Sequence, residues 1–263
     1  MLSVDPRRCL SRLTRRQIQA LPDKARALVI LTTGAIEQHG PHLPVAVDAF
    51  MGQVWLSRAL ALLPEDTACY VAPPITFGRS VEHTGFPGTL SVSKETLRLQ
   101  VLAIGRQLHA WGFRRLAVLN THGGNTAVVM TSLRELRDSP GLRADLLRPA
   151  TDYGLSPQEA TFGFHAGELE TGLILASDER LVDMRQARCE FPAHLSDAGR
   201  LRPENAPARV AWVSRDLSRS GIMGDATAAT AEKGRRWLDH GAERMAAAIL
   251  AICESAMAAN PRD

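Results

Sequence analysis

The sequence predicts an α/β fold: three layers, α/β/α, with a mostly parallel central sheet, in a single domain over residues 1–263. Two runs, Ala27–Leu31 (ALVIL) and Arg115–Thr121 (RLAVLNT), are short and lack polar alternation, as strands covered on both faces do. Segments of helical period separate the strand candidates, and strands alternating with helices imply a parallel sheet. Each run leads into a glycine-broken polar segment, and ligands of open α/β sheets bind outside the carboxyl ends of the strands.

In chain order, Ser11–Leu21 reads as a short helix stopped by Pro22, and the first strand follows. Ala49–Leu63 carries Phe50, Val54, Leu56, Leu60 and Leu63 at helical spacing and ends before Pro64. Cys69–Ile75 is a strand whose double proline places it at an edge or a strand end. A glycine-rich loop, Phe77–Ser93, leads to a helix over Lys94–Trp111, capped by Ser93 and ended by Gly112. The strand Arg115–Thr121 follows, then a helix to Asp138 broken by Pro140-Gly141. Beyond it come a strand in Leu142–Pro149, a helix over Phe164–Ala176, a last strand over Ala208–Val213 and a helical segment from Asp225 to about Ala258. Asp183–Pro207 has no firm period and receives no assignment.

Composition narrows the function classes. The net charge is only +3, and the arginines are scattered or locally paired, with no basic and aromatic stripe for nucleic acid. Four distant cysteines without a CxxC pair fit a reducing cytoplasm, not a disulfide scaffold or zinc ribbon. No run approaches the roughly 18 apolar residues of a membrane span. The arginine-rich N-terminal segment lacks the apolar stretch of a secretory signal.

The polar chemistry collects in three segments. Past the first strand come Glu37, His39, His42 and Asp48 among Gly40, Pro41 and Pro44. Glu37 and His39, two apart in an extended segment, point the same way, and Asp48 follows a proline-stiffened loop. Carboxylate, imidazole and carboxylate suit Zn²⁺, Mn²⁺ or Fe²⁺. The plainer reading makes Asp48 the N-cap of the next helix, and His42 is read as structural. His122-Gly123-Gly124 follows the second strand; a lone strand-end histidine is more often structural, and no Walker lysine or GxGxxG supports nucleotide binding. In FHAGELETG, His165 and Glu168 would share one helix face, with Glu170 five residues from His165. Carboxylates at a helix start are otherwise ordinary partners of the macrodipole.

Taken in order, TGAIEQHGPHLPVAVD, EHTGFPGTLS, LNTHGGN, HAGELET and SGIMGDATAATAEKG resemble the creatininase (creatinine amidohydrolase) family over most of the chain. The resemblance implies a binuclear metal-dependent amidohydrolase, hexameric as the family usually is. It would hydrolyse a C–N amide bond of a cyclic amide or related small molecule with a hydroxide held between two divalent ions, Zn²⁺ or Mn²⁺ with Fe²⁺ admissible. It implies Glu37, His39, Asp48 and His122 as ligands, with Asp48 bridging. Creatininase has a further ligand glutamate where this chain has Gly124, so Glu168 is expected to replace it. On this scheme Glu37 and His122 complete one metal site, and His39 and Glu168 the other. His165 is the implied proton shuttle, oriented by Glu170. Ser80, Glu82 and His83 are assigned to substrate contact, together with Gly123, whose backbone N–H would face the oxyanion.

Creatininase closes its pocket with tryptophans in the segment matching Asp152–Phe164, which has none here, and creatinine is therefore a poor substrate candidate. The alternatives are a metallopeptidase or deformylase acting on a linear amide, or a metal-binding member without catalysis. The mycofactocin peptidase branch has a motif resembling HAGHTET, so Glu168 weighs mildly against it.

Overall fold

The computed structural model describes residues 4–149, 153–192 and 211–255. Its central sheet comprises β1 (Leu28–Thr33), β2 (Cys69–Val71), β3 (Arg115–Asn120) and β4 (Arg143–Leu147), all parallel in the order β2-β1-β3-β4. Helices are α1 (Arg15–Ala20), α2 (Val47–Ala61), α3 (Lys94–Ala110), α4 (Thr126–Asp138), α5 (Pro157–Phe162), α6 (Glu168–Asp178), α7 (Ser214–Leu217) and α8 (Ala231–Glu254). A two-stranded antiparallel piece, β5 (Cys189–Glu190) with β6 (Gly224–Asp225), lies apart from the main sheet. Among the described residues no helix is long and apolar enough to cross a membrane.

The period-two direction of side chains along a strand builds the layers. Leu28 and Ile30 of β1 with Ala117 and Leu119 of β3 pack on α2, α6 and α8. Val29 and Leu31 with Leu116 and Val118 pack on α3 and α4. This double burial is why the strands read as unbroken apolar runs. On the first face α6 and α8 meet with almost no side chain between them: a Cβ on Gly234 would overlap the Gly172 carbonyl.

Strand order also positions the site. The chain passes from β1 to β2 on one side and from β3 to β4 on the other, so the loops after β1 and β3 diverge at a topological switch point.

Two expectations are corrected. Helix α6 begins at Glu168, not Phe164, because the N–H groups of Phe164 and His165 are bonded to the Met223 carbonyl at 2.9 and 3.2 Å and Ala166 turns left-handed at φ 54°. His165 and Glu168 therefore do not share a helix face. The N-cap of α2 is Ala46, and Asp48 lies in the first turn with its carboxylate on histidines instead of backbone. Most of the strand expected at Ala208–Val213 lies outside the described residues; 211–213 are not strand.

Candidate metal centre

Glu37, His39, Asp48 and His122 converge at the ends of β1 and β3, all at most 5% exposed. The loop after β1 folds back on itself through the Glu37 N–H to Val45 carbonyl bond, 2.8 Å. The Thr121 hydroxyl donates to the Asp48 carbonyl at 2.7 Å, tying the exit of β3 to the first turn of α2.

The histidine tautomers follow from carbonyls, which only accept. His122 Nε2 donates to the Arg79 carbonyl at 2.9 Å, which leaves Nδ1 to face Glu37 Oε2 and Asp48 Oδ2, each at 3.2 Å. His39 Nδ1 donates to the Glu37 carbonyl at 3.1 Å, which leaves Nε2 to face Asp48 Oδ1 and Glu170 Oε2, each at 3.7 Å. Asp48 thus divides its two oxygens between two donor sets. Glu37 Oε2, His39 Nε2 and Asp48 Oδ2 are buried without any hydrogen-bond partner. Buried polar atoms of this kind require an explanation such as an ion. Ligands about 2.1 Å from one ion lie roughly 3–3.5 Å apart, so the first set already has ligand spacing and the second is slightly open. Imidazoles held by backbone carbonyls on the far nitrogen are the usual second layer of such a centre.

Electrostatics agree with a cation-seeking cluster. Burial and the Asp48 charge raise the Glu37 carboxyl. Burial lifts Glu170 to about 7, and neighbouring carboxylates add to this against the pull of His39. Burial would depress His39, but Asp48, Glu170 and Glu37 outweigh it and raise it to about 9.

Behind Glu37 lies a second group. His165 Nε2 donates to the Gln38 carbonyl at 2.7 Å, and its Nδ1 faces Glu37 Oε1 at 3.7 Å. Its ring lies between those of His39 and His83, with centroids 4.3 and 4.1 Å away. Burial and the two neighbouring imidazoles hold it well below the usual histidine range, so it is neutral. His83 Nε2 lies 3.5 Å from Glu37 Oε1, and its Nδ1 contacts Gln38 Nε2 and Ser214 Oγ. Gln38 and Ser214 were missed because neither residue type signals chemistry on its own.

Several expected positions change. Glu168 is not brought to the cluster: its carboxylate is paired with Lys233 Nζ. Glu170, expected beside the His165 ring, faces His39 instead, and the Gln38 carbonyl orients His165. Ser80 Oγ lies 3.2 Å from His122 Nε2 and His83 lies behind Glu37, so neither lines the cleft at the ligands. Glu82 approaches the same far side of His122 at 3.6 Å. Gly123 does line the cleft, which is about 510 Å³ and includes Asp48, His122 and Glu170. His42 Nε2 is paired with the Thr171 hydroxyl at 2.8 Å, and its Nδ1 is buried without a hydrogen-bond partner. Unforeseen is Glu159, buried in α5, which accepts the N–H groups of Glu168 and Asp225 at 2.8 Å each and so fixes the start of α6.

Comparison with known proteins places this geometry. The family model described as "Creatininase: Creatinine amidohydrolase" matches residues 11–249. The mycofactocin precursor peptide peptidase of Mycolicibacterium smegmatis is 33% identical over 214 residues, 80% of this chain and 78% of that protein. The creatinine amidohydrolase of Pseudomonas putida is 30% identical over 261 residues, 90% of this chain and 94% of its own. The solved structure "Creatininase Mn" matches with a TM-score of 0.74 at 26% identity, covering 92% of this chain and 97% of its own.

Proposed function

We propose that this chain, which belongs to the creatininase family, is a binuclear metal-dependent amidohydrolase acting on a linear amide. The observation that carries the reading is the division of Asp48, Oδ2 toward His122 Nδ1 and Oδ1 toward His39 Nε2, the same ring nitrogens that face Glu37 and Glu170 respectively. Glu37, Asp48 and His122 would hold one divalent ion, and His39, Asp48 and Glu170 the other. Zn²⁺ and Mn²⁺ both suit imidazole and carboxylate donors. Two such ions lower the pKa of a shared water towards neutrality and polarise an amide carbonyl.

The protein's own part is binding and proton handling. His165, held by its Nε2 bond to the Gln38 carbonyl with Nδ1 toward Glu37 Oε1, positions that carboxylate and is the candidate shuttle that would pass a proton on to the leaving nitrogen. The Gly123 N–H, on the cleft wall, is the backbone donor for the developing oxyanion. Ser80 and Glu82 steady His122 from behind, and His83 braces His165.

A linear amide is favoured over a cyclic one by the cleft and by the relatives. A space of about 510 Å³ with Trp55, Tyr153 and Leu173 on its walls exceeds what a small ring fills. The M. smegmatis relative is a peptidase. Glu168 carries no weight against that branch, since its side chain lies on Lys233 and does not line the cleft. The four free cysteines suit a reducing cytoplasm. Exposed Val45, Phe77, Val81 and Leu90 offer apolar surface for assembly into a homo-oligomer.

Elemental analysis after purification without chelators tests the reading. About two ions per chain are expected in the wild type, falling towards one in Glu170→Ala and unchanged in Glu168→Ala. One ion or none in the wild type would overturn the binuclear assignment.

A further inference from the structure

The cleft is lined by the acids Asp48 and Glu170 and, among its lining residues, by a single arginine or lysine, Arg148. Arg148 follows directly on β4, at the carboxyl end of the sheet where the ligands also lie. Several other arginines of the chain are engaged elsewhere, and none of them lines this cleft. Arg8 and Arg115 bond backbone carbonyls, while Arg98, Arg180 and Arg185 pair with Glu135, Asp178 and Asp183. Arg148 is exposed, and no bond joins it to any described residue. The same cleft is lined by Met51, Trp55, Tyr153 and Leu173, an apolar surface.

We propose that Arg148 binds a carboxylate of the substrate. The substrate class is then a linear amide whose amine side carries a free carboxylate and an apolar side chain, as in the last residue of a peptide or in an N-acyl amino acid. A guanidinium fork pairs a carboxylate through two parallel N–H···O bonds. A single guanidinium matches the single charge of a carboxylate. Hydrolysis breaks the C–N bond: water gives OH to the acyl carbon and H to the nitrogen, releasing an acid and an amino acid. The inference deepens the amidohydrolase reading and rests on it.

The test uses the metal-loaded wild type and Arg148→Met. Binding of N-acetyl-leucine and of its carboxamide is measured by calorimetry. Turnover is measured on N-acetyl-leucine and on a tripeptide ending in leucine, each against its C-terminal amide. Wild type is expected to prefer the free carboxylate by about tenfold to a hundredfold. Arg148→Met should lose that preference through KM, with the carboxamides unaffected. Preference for the tripeptide over N-acetyl-leucine would identify a peptide end as the source; the reverse would identify an acyl amino acid. Equal handling of each pair by wild type, or a carboxylate preference that survives in Arg148→Met, would overturn the proposal. A protein that hydrolyses both members of each pair alike leaves the amidohydrolase reading standing. One that binds the carboxylate through Arg148 but holds no metal and hydrolyses nothing overturns that reading instead.

Discussion

Lys233 Nζ on α8 lies 2.5 Å from Glu168 Oε1, and this pair decides which acid of the HAGELET segment faces the cluster. Lys233 also donates to the Ala228 carbonyl at 2.9 Å, so the ammonium is fixed from the α8 side. Glu168 turns towards α8, and Glu170, two residues on along the same helix, turns towards His39.

Lys233→Met should therefore destabilise the fold without emptying the metal centre. It leaves the Glu168 carboxylate, 6% exposed, without its cation, at a cost of about 1–3 kcal/mol discounted for the partly open lysine. Urea unfolding would read the loss, and elemental analysis should give unchanged metal. Loss of an ion in Lys233→Met would mean that Glu168 is coupled to the centre after all.

Gly124 is a glycine for want of space. A Cβ there would overlap the Arg79 carbonyl and the Glu82 carboxylate and crowd His122 Nε2. Gly124→Glu, which restores the creatininase residue, should lower metal content, because the Arg79 carbonyl that holds the His122 tautomer must move. Gly124→Glu combined with Glu82→Gly should recover part of it. Normal metal content in the single variant would count against this account.

Much of the fold and most of the residues of the candidate cluster were legible in the sequence, and the departures share a cause. Strands buried on both faces announce themselves, and Glu37, His39, Asp48 and His122 sit beside glycine and proline breaks at strand ends. Choosing between Glu168 and Glu170 needed α8, more than 60 residues away in sequence, because Lys233 makes the choice. The start of α6 depended likewise on Met223, whose backbone takes up Phe164 and His165. Periodicity carries no information about such distant partners.

Glu159 supports the same helix start from the other side. Its carboxylate is crowded by Gly163, Gly167 and Gly224, where any side chain would collide with it. Glu159→Ala leaves the N–H groups of Glu168 and Asp225 unbonded, about 2–5 kcal/mol for the two together. It should also weaken metal binding at the site proposed for Glu170. Urea unfolding and metal content measured together would check this, and a variant with wild-type values of both would sink the positioning role.

Ion removal should cost stability because Glu37, Asp48 and Glu170 then repel one another across a few ångströms. Returning Mn²⁺ at about 100 times its Kd adds about 2.7 kcal/mol per bound ion to the folded state. For a chain of this size each ion then raises Tm by about 5–10 °C. Scanning calorimetry with chelator and then with excess Mn²⁺ reads this directly, and identical melting in both would argue against a metal centre.

His42 gives the fold a pH dependence of its own. It is 2% exposed, and burial, with the charge of the neighbouring His39, pushes it down to about 4 from an ordinary 6.5, so it is neutral in the native state. The unfolded chain takes up a proton there as pH falls below 6.5 and the folded chain does not until about 4. Its contribution is therefore complete above pH 6.5 and is lost progressively between 6.5 and 4. At pH 5 the loss is about 2 kcal/mol relative to pH 7. Urea unfolding of chelator-treated protein at the two pH values should show this drop in the wild type. His42→Gln, which keeps a partner for the Thr171 hydroxyl, should show a drop smaller by that amount. An equal pH slope in both proteins would mean that His42 is charged in the fold, and that Thr171 accepts from an imidazolium instead of meeting a neutral ring.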